Sequence, residues 1–231
     1  MLHSDTSLII YFIRHAECET NLTPGIVAGT APLSPLTERG KEQSRTLGRR
    51  FKKDKVSFLK VYASECIRAH DTAKLFCQEI GQDPEEIIVT PMINEIGQGK
   101  WEGLERTEVY NAKNLAAMFT KGLSFTPPEG ESVRMIERKG ACWLEDEILY
   151  NPQIIKKHDG PVNIAIVTHG MVIRAFLHYI LNCDAKIVYR FMLHNTCINR
   201  FKFDATGWQP LEINDCAHLR DVGFLDNFFS S

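Results

Sequence analysis

Two short apolar runs, each closely followed by a histidine, place the strongest constraint on the fold of this chain. Residues 9–13 are followed by Arg14 and His15, and residues 164–167 are separated by one threonine from His169. Continuous apolar runs of this length are typical of strands buried on both faces of a parallel sheet. Ligands of open α/β sheets bind outside the carboxyl ends of the strands. We therefore expect both imidazoles in one cleft, and the adjacent arginine predicts an anionic ligand.

Further short runs rich in apolar residues predict additional strands. These strands alternate with predicted helices through most of the chain, a pattern typical of a mainly parallel sheet. We therefore predict an α/β fold: a three-layer α/β/α sandwich with a mainly parallel central sheet. The predicted strands are residues 8–13, 58–63, 87–89, 162–168, 197–203 and 208–213.

Capping residues indicate the ends of the predicted helices. Thr37 is predicted to cap a helix that runs to about Lys53. Ser64 is predicted to cap a second helix, which ends at Gly81, because glycine is favoured just beyond a helix C-terminus. A third predicted helix begins directly after the second histidine and covers about residues 170–181.

The segment between Arg106 and His158 is predicted to be helical, without clear strands and with a break at Pro127 and Pro128. We expect a single domain over residues 1–231 that carries this segment, approximately 104–160, as a helical cap insertion over the sheet edge. That position predicts a role in ligand choice. Four cations are candidate contacts to a second acidic group, with solvated helix faces as the alternative: Arg106, Lys113, Lys121 and Arg134.

Composition limits the partners and the compartment. The formal net charge of −2 provides no global field that would attract nucleic acid, so any anion site must be a local cluster. Seven scattered cysteines favour free thiols in a reducing compartment. The N-terminus lacks the basic segment of a secretory signal, and Arg174 interrupts the longest apolar stretch. We expect a cytoplasmic protein without nucleic-acid or membrane partners; the oligomeric state does not follow from the sequence.

Two further residues strengthen the prediction of an anion site. Arg68 is expected in the first turn of the second helix, beside free backbone N–H groups and the positive end of the helix dipole. Gly170 opens the third helix and allows the backbone to approach a ligand closely. Two arginines, two helix N-termini and two imidazoles suit a dianionic phosphoryl group, because arginine binds phosphate oxygens bidentately. Taken singly, Arg68 also fits a surface arginine, and the first histidine fits an ordinary strand end.

Glu95, after the predicted strand 87–89, is the candidate acid–base group. A carboxyl near a cationic cleft can protonate a leaving alcohol and then accept a proton from water, provided that burial or substrate charge raises its pKa. The rival interpretation is a loop carboxylate paired with one of the arginines. Glu17 and Glu102 are competing candidates for the acid.

Metal ligation is the other common use of two histidines. Metal-dependent phosphatase sites need several carboxylates or histidines at ligand spacing. In this chain the strand ends supply arginine, which repels a cation. We therefore expect neither a metal ion nor another cofactor.

Several motifs in order make nearly the whole chain resemble the histidine phosphatase superfamily, the group that includes cofactor-dependent phosphoglycerate mutase and many small phosphatases. Residues 14–17 resemble its Arg-His-Gly-Glu signature, with Asn21 at the position of a usual asparagine. The remaining similar segments are residues 34–40, 64–73, 95–103, 128–132 and 168–170, with residues 213–219 near the C-terminus.

The resemblance implies a phosphoglycerate mutase-like fold and specific roles at the site. His15 is then the nucleophile that forms a phosphohistidine, and Glu95 is the proton donor and acceptor. Arg14, Arg68 and His169 are implied to stabilise the transferring group. Asn21, Thr30 and Gly170 are the implied substrate contacts, with Gly29 as the alternative to Thr30.

Two departures from the family pattern bear on the site. Ala16 replaces the common glycine and adds a methyl group beside the expected nucleophile. The loop between Asn21 and Pro35 is about two residues longer than usual by our reading of the pattern, which leaves its phosphate contact open between Gly29 and Thr30.

Three functions fit these residues. The first is a phosphomonoester hydrolase that acts on a small phosphorylated metabolite. The second is phosphoryl transfer of the phosphoglycerate mutase type, and the third is a non-catalytic module that binds phosphorylated ligands. Hydrolysis is favoured over mutase chemistry because residues 96–98 are Ile-Gly-Gln, where the mutases that we compare carry Arg-His-Tyr. It is favoured over the binding module because all five expected catalytic positions carry competent side chains.

Overall fold

The structure, a computed structural model, describes residues 6–156, 158–220 and 222 and contains a six-stranded sheet. The strands lie in the order β3-β2-β4-β1-β5-β6. Strands β3, β2, β4 and β1 pair in parallel, whereas β5 pairs antiparallel with both β1 and β6. The predicted α/β class with a mainly parallel sheet is therefore confirmed. The strands are β1 (Leu8–Arg14), β2 (Lys60–Ser64), β3 (Ile88–Thr90), β4 (Val162–Thr168), β5 (Ile198–Asp204) and β6 (Gly207–Asp215).

Helices cover both faces of the sheet. On one face Tyr11 of β1 packs edge-on against Phe51 of α1 (Glu38–Lys53), beside α2 (Ile67–Ile80). On the other face Phe12 packs against Phe176 of α6 (Gly170–Leu181), beside α5 (Val133–Leu144). Because successive strand residues point to opposite faces, β1 is buried on both and joins the two apolar cores. This arrangement is the predicted three-layer sandwich.

The segment predicted as an insertion is helical. It contains α3 (Arg106–Val109), α4 (Ala112–Lys121) and α5, which continues into a π-helical turn at Glu145–Leu149. Its assignment as an inserted cap stays a prediction. Two short helices follow α6: α7 (Ala185–Val188) and α8 (Ala217–Arg220). No helix in the described ranges combines the length and the hydropathy that a bilayer crossing requires.

The prediction that Ser64 caps the second helix is wrong. Ser64 is the last residue of β2, and α2 begins at Ile67 with Cys66 at its N-cap. The hydroxyl of Ser64 still accepts a hydrogen bond from the Cys66 N–H at 3.2 Å. A serine followed by a helical pattern does not distinguish a cap from a strand end, because both precede the helix. The predicted Thr37 cap and the end of α2 at Gly81 are confirmed.

Helices α1 and α2 approach each other closely at Gly48. A Cβ atom at this position would lie 2.6 Å from the Cβ of Glu79 and 2.8 Å from the carbonyl oxygen of Phe76. Backbone atoms cannot move aside as a flexible side-chain end can. The absence of a side chain at Gly48 therefore sets the spacing between α1 and α2, and α2 carries Arg68.

We expect Gly48→Ala to destabilise the protein. Alanine favours the helix by about 1 kcal/mol relative to glycine, but overpacking against a fixed backbone costs about 1–3 kcal/mol. The net loss in the free energy of unfolding should be about 1 kcal/mol, measured by urea denaturation. Lys52→Ala, at an exposed position of the same helix, is the control and should change stability by less than about 0.5 kcal/mol. A stabilised Gly48→Ala variant would contradict the close approach.

Candidate active site

The two histidines that follow the apolar runs lie side by side. Strands β1 and β4 pair in parallel with Arg14 opposite Thr168, so the next residue of each chain segment leaves the same edge of the sheet. The backbone N–H of His15 donates to the Thr168 carbonyl at 2.8 Å. The ring centroids of His15 and His169 are 5.2 Å apart, and their exposed fractions are 4% and 0%. The predicted meeting of the two imidazoles is observed.

The hydrogen bonds of His15 leave one ring nitrogen unprotonated. Nδ1 lies 2.7 Å from the carbonyl oxygen of Ala16. A carbonyl only accepts, so Nδ1 carries the proton and Nε2 keeps its lone pair. The Nε–H of Arg68 donates to Nε2 at 3.3 Å. Burial, together with the positive charges of Arg68 and Arg14, holds the pKa of His15 well below its usual value. The neutral ring therefore presents an unprotonated nitrogen.

Arg68 is buried near the start of α2 and is oriented by carbonyl groups. Its Nη1 donates to the carbonyl of Ala31 at 2.7 Å, and its Nη2 donates to that of Thr30 at 3.0 Å. Neither partner is charged. The guanidinium is thus fixed in direction while its positive charge remains uncompensated by a carboxylate in the described ion pairs. This use of Thr30 is structural support for Arg68; its predicted contact with substrate stays a prediction.

Arg14 ends β1 and is held in a similar way. Its Nη1 donates to the carbonyl of Leu193 at 2.6 Å, whereas its buried Nε has no hydrogen-bond partner among the described residues. A buried donor without a partner is costly, and an anionic ligand would satisfy it. Gly170 leaves room beside this group, since a Cβ there would lie 3.7 Å from Arg14 Nε and 3.3 Å from Arg174 Nη1.

Glu95 lies in the loop after β3 and faces the same cluster. Its carboxylate accepts a hydrogen bond from the Ile96 N–H at 3.0 Å. Burial raises the pKa of Glu95 above its ordinary value, although the Ile96 N–H and the charges of Arg68 and Arg14 oppose this rise. A raised pKa favours the protonated carboxyl, which is the form that a general acid needs.

The two competing acids have other partners. Glu17 accepts from the Thr37 hydroxyl at 2.7 Å and pairs with Arg39 at 3.0 Å. Glu102 accepts from the backbone N–H groups of Gln98 at 2.9 Å and Thr30 at 3.3 Å. Both carboxylates therefore bind and orient loops of the protein. Of the three candidates, Glu95 interacts electrostatically with both Arg68 and Arg14, and its role as the acid stays a prediction.

Asn21 is placed beside the backbone of His15. Its Oδ1 accepts from the Cys18 N–H at 3.2 Å and from Nδ2 of Asn195 at 3.3 Å. The same Asn195 nitrogen donates to the carbonyl of His15 at 2.9 Å. Asn195 was missed by sequence reasoning, because it lies 180 residues from His15 and no motif marks it. The predicted role of Asn21 in substrate binding stays a prediction.

Ser64 and Asn94 are two further residues that sequence reasoning missed. The Ser64 hydroxyl lies 2.8 Å from Nε2 of His169 and 2.8 Å from Oδ1 of Asn94. A usable signal was present for Ser64, since it ends a parallel strand at the same sheet edge as the two histidines. Burial, with Arg68, His15 and Arg14 nearby, holds the pKa of His169 well below its usual value.

Two cavities meet at Glu95. One, of about 340 Å³, has a mainly aromatic and aliphatic wall that includes Trp101, Phe125 and Met171. The other, of about 840 Å³, is lined by Arg14 and by further arginines. Among the four cations proposed in the insertion, Arg106 lines both cavities, and the other three line neither. In the described ranges, no group of three or more His, Cys, Asp or Glu side chains is arranged to hold a metal ion.

Curated relatives of this chain include phosphoglycerate mutases. A 2,3-bisphosphoglycerate-dependent phosphoglycerate mutase of Parvibaculum lavamentivorans is 27% identical over 171 residues, covering 73% of this chain and 78% of the relative. A probable phosphoglycerate mutase of Photorhabdus laumondii is 28% identical over 229 residues, covering 95% of this chain and 98% of the relative. These similarities extend over most of both chains.

Similar solved structures include phosphatases. A phosphoserine phosphatase mutant of Entamoeba histolytica, in complex with phosphoserine, superposes with a TM-score of 0.74 at 26% identity, covering 93% of this chain and 99% of that one. A protein described as mycobacterial hydrolase 1 has a TM-score of 0.78 at 18% identity, covering 90% and 99%, and supports the fold alone. Residues 10–216 match the family model of the histidine phosphatase superfamily, branch 1. With this match over most of its length, the chain belongs to the histidine phosphatase superfamily.

Proposed function

We propose that this protein is a metal-independent phosphomonoester hydrolase that acts on a small phosphorylated metabolite through a phosphohistidine at His15. The observation that carries the proposal is the state of His15. Its Nδ1 donates to the Ala16 carbonyl, and its unprotonated Nε2 lies 3.3 Å from Nε of Arg68. A buried neutral imidazole in a cationic cleft suits attack on an anionic phosphoryl group.

In the first step, Nε2 of His15 would form a bond to phosphorus while the bond from phosphorus to the ester oxygen breaks. Glu95 would give its proton to that oxygen, so that the alcohol leaves neutral. The guanidinium groups of Arg14 and Arg68 and the ring of His169 would hold the three non-reacting oxygens. The proton that remains on Nδ1 keeps the His15 ring oriented by Ala16.

In the second step, water would attack phosphorus and the bond to Nε2 would break. The Glu95 carboxylate, now deprotonated, would take a proton from that water. The products are inorganic phosphate, the neutral His15 ring and protonated Glu95, so the cycle closes. The leaving group would occupy the cavity of about 340 Å³ beside Glu95, where its apolar part could contact Trp101 and Phe125 and an acidic part could reach Arg106.

Access of water supports hydrolysis over transfer to a second acceptor. A mutase must keep its phosphorylated intermediate away from water until the phosphoryl group is returned. The cavity of about 840 Å³ that contains Arg14 and Glu95 is also lined by the exposed side chains of Arg106 and Arg190. Solvent at these residues is therefore continuous with the cavity that Arg14 and Glu95 line.

Phosphoglycerate mutase-type transfer is the second candidate function. Its support is the identity of 27% and 28% with the two curated relatives that carry mutase names. Both reactions begin with the same phosphorylation of His15 and differ in the acceptor. A binding module without catalysis is the third and least supported candidate, because the cluster retains a nucleophile and an acid with suitable pKa shifts.

We expect His15→Ala to lower hydrolysis of 4-nitrophenyl phosphate by at least about a thousandfold, because the covalent route is lost. His70→Ala on the surface of α2 is the matched control and should retain activity. Wild-type protein quenched during turnover should carry acid-labile phosphate on His15, detected by mass spectrometry. Lack of activity in the wild type across many phosphomonoesters would instead favour the binding module.

The pH dependence of kcat/KM should reflect the ionisation of His15, whose pKa is lowered, and of Glu95, whose pKa is raised. His15 must be neutral, and its lowered pKa places the loss of activity well below pH 6.5, the usual histidine value. Glu95 must be protonated in the first step, so activity should fall as the pH rises through its raised pKa. Glu95→Gln should remove the contribution of Glu95 to this alkaline limb, which makes the limb shallower, and slow the hydrolysis of alkyl phosphates by about 10²–10⁴-fold. Aryl phosphates should be affected less, since phenolate leaves more readily. An unchanged alkaline limb would exclude Glu95 as the acid.

The two catalytic candidates differ in their products. With 3-phosphoglycerate and a catalytic amount of a bisphosphate primer, we expect release of inorganic phosphate to exceed formation of 2-phosphoglycerate. Both products can be followed in one sample by ³¹P NMR. Isomerisation faster than phosphate release would favour the mutase function and overturn the proposed hydrolysis.

A further inference from the structure

His169 belongs to a chain of hydrogen bonds, buried at the histidine and exposed at its far end, that the proposed reaction does not use directly. Its Nε2 lies 2.8 Å from the Ser64 hydroxyl oxygen, which lies 2.8 Å from Oδ1 of Asn94. The chain leads away from the cleft toward Glu65. Each group along the chain has a known number of protons to donate. The position of the proton on the neutral His169 ring therefore follows from the hydrogen bonds at the Glu65 end.

The orientation of the Asn94 amide is fixed by Glu65. The backbone N–H of Glu65 donates to one end of the amide at 3.0 Å, and the Glu65 carboxylate accepts from the other end at 3.0 Å. A backbone N–H only donates and a carboxylate only accepts. The amide oxygen therefore faces the backbone and Ser64, and the amide nitrogen faces the carboxylate.

This orientation determines the role of the Ser64 hydroxyl. Oδ1 of Asn94 cannot donate, so Ser64 donates its one proton to it. The Ser64 oxygen then accepts from the Cys66 N–H at 3.2 Å and from Nε2 of His169. A neutral His169 therefore carries its proton on Nε2. Its Nδ1 is unprotonated, and it is buried without a hydrogen-bond partner among the described residues.

An unprotonated Nδ1 cannot bind a phosphoryl oxygen. Both atoms are acceptors, and the oxygens of a phosphoryl dianion bring no proton of their own. The groups around the ring also favour its neutral form: Arg68 from α2, and Arg14 and His15 from the end of β1. The remaining charged groups of the cluster are Glu95, from the loop after β3, and Arg174 of α6 itself. A bound dianion instead favours the protonated ring, because its negative charge stabilises the positive charge of the imidazolium.

We propose that Ser64 and Asn94 are positioning residues that hold His169 in its Nε2–H tautomer, so that anion binding requires uptake of one proton onto Nδ1. The proposal rests on the proposed function for the identity of the anion. The proton comes from solvent and returns to it when the anion leaves. In the pH range where His169 is neutral in the free protein and protonated in the complex, linkage lowers anion affinity about tenfold for each unit of rising pH.

The tautomer can be observed directly by NMR. In full-length protein labelled with ¹⁵N-histidine, the two ring nitrogens have distinct shifts, and His169→Ala identifies the signals. We expect a protonated Nε2 and an unprotonated Nδ1 in the free protein, and protonation of both after saturation with sulfate. Asn94→Ala frees the Ser64 hydroxyl to rotate, and Ser64→Ala removes it. Each should populate the Nδ1–H tautomer, whereas Ser64→Thr, which keeps the hydroxyl, should resemble the wild type.

Sulfate affinity measures the coupled proton. Sulfate stays dianionic across the accessible pH range, so a pH-dependent affinity reports the protein alone. In a His15→Ala, Glu95→Gln background, His169 is the titratable group left in the cluster. We expect a tenfold loss of sulfate affinity per pH unit there, and a nearly flat profile when Ser64→Ala is added, because the Nδ1–H tautomer donates without taking up a proton. Ser44→Ala, which removes a buried hydroxyl of α1, is the control and should keep the steep profile.

The outcomes separate this proposal from the proposed function. An Nδ1–H tautomer in the free wild type, or a steep profile that survives Ser64→Ala, would overturn the positioning role even in an active phosphatase. A purely structural role of Ser64 would lower affinity equally at every pH, which also contradicts the proposal. Failure of the wild type to hydrolyse phosphomonoesters would remove the proposed function while leaving the tautomer and the coupled proton measurable.

Discussion

The site depends on the parallel pairing of β1 with β4. Arg14 lies opposite Thr168 in this register, so that His15 and His169 leave the sheet at the same level. Because strand side chains alternate between faces, a slip of one residue would turn one imidazole away from the other. The same slip would turn Tyr11 away from α1 and Phe12 away from α6, the helices against which they pack. A single register of β1 against β4 therefore both buries the two apolar cores and brings the two imidazoles together.

The electrostatics of the cluster follow from how its arginines are held. Arg14, Arg68 and Arg174 donate to backbone carbonyls at Leu193, Thr30, Ala31 and Phe191. Carbonyl dipoles orient a guanidinium without neutralising it, so the positive charge remains for a ligand. Burial first, and then this charge, lower the pKa of both imidazoles, and the charges of Arg68 and Arg14 oppose the raised pKa of Glu95. The cluster is thus cationic, and the buried Nε of Arg14 has no hydrogen-bond partner among the described residues; both properties favour binding of a phosphoryl group.

Much of the fold could be predicted from patterns of residues that are near one another in the sequence. Strand β4 and helix α6 have the predicted bounds, because a fully apolar strand and a glycine after the histidine leave little freedom. The chain-distant supports could not be predicted in this way. Asn195 reaches the His15 carbonyl from a loop that has no periodicity. The Ser64–Asn94 bond joins the end of β2 to the loop after β3, and this proximity follows only from the strand order. Sequence thus indicated which groups carry the chemistry, and the structure was needed for the groups that orient them.

The two imidazoles occupy opposite tautomers for different physical reasons. His15 donates from Nδ1 to a backbone carbonyl, which has no proton to return, so rotation of a neighbour cannot change the tautomer. His169 donates from Nε2 to the Ser64 hydroxyl. This hydroxyl could rotate and donate to the ring instead, so a second group is needed to fix its orientation. Asn94 supplies that group, with its own orientation set by Glu65. In the proposed reaction the difference is useful: the attacking nitrogen must stay unprotonated throughout, whereas the second ring must gain a proton when the anion arrives and lose it with the product. A carbonyl suits the fixed state, and a hydroxyl held by an amide suits the ring whose opposite nitrogen changes its protonation in each cycle.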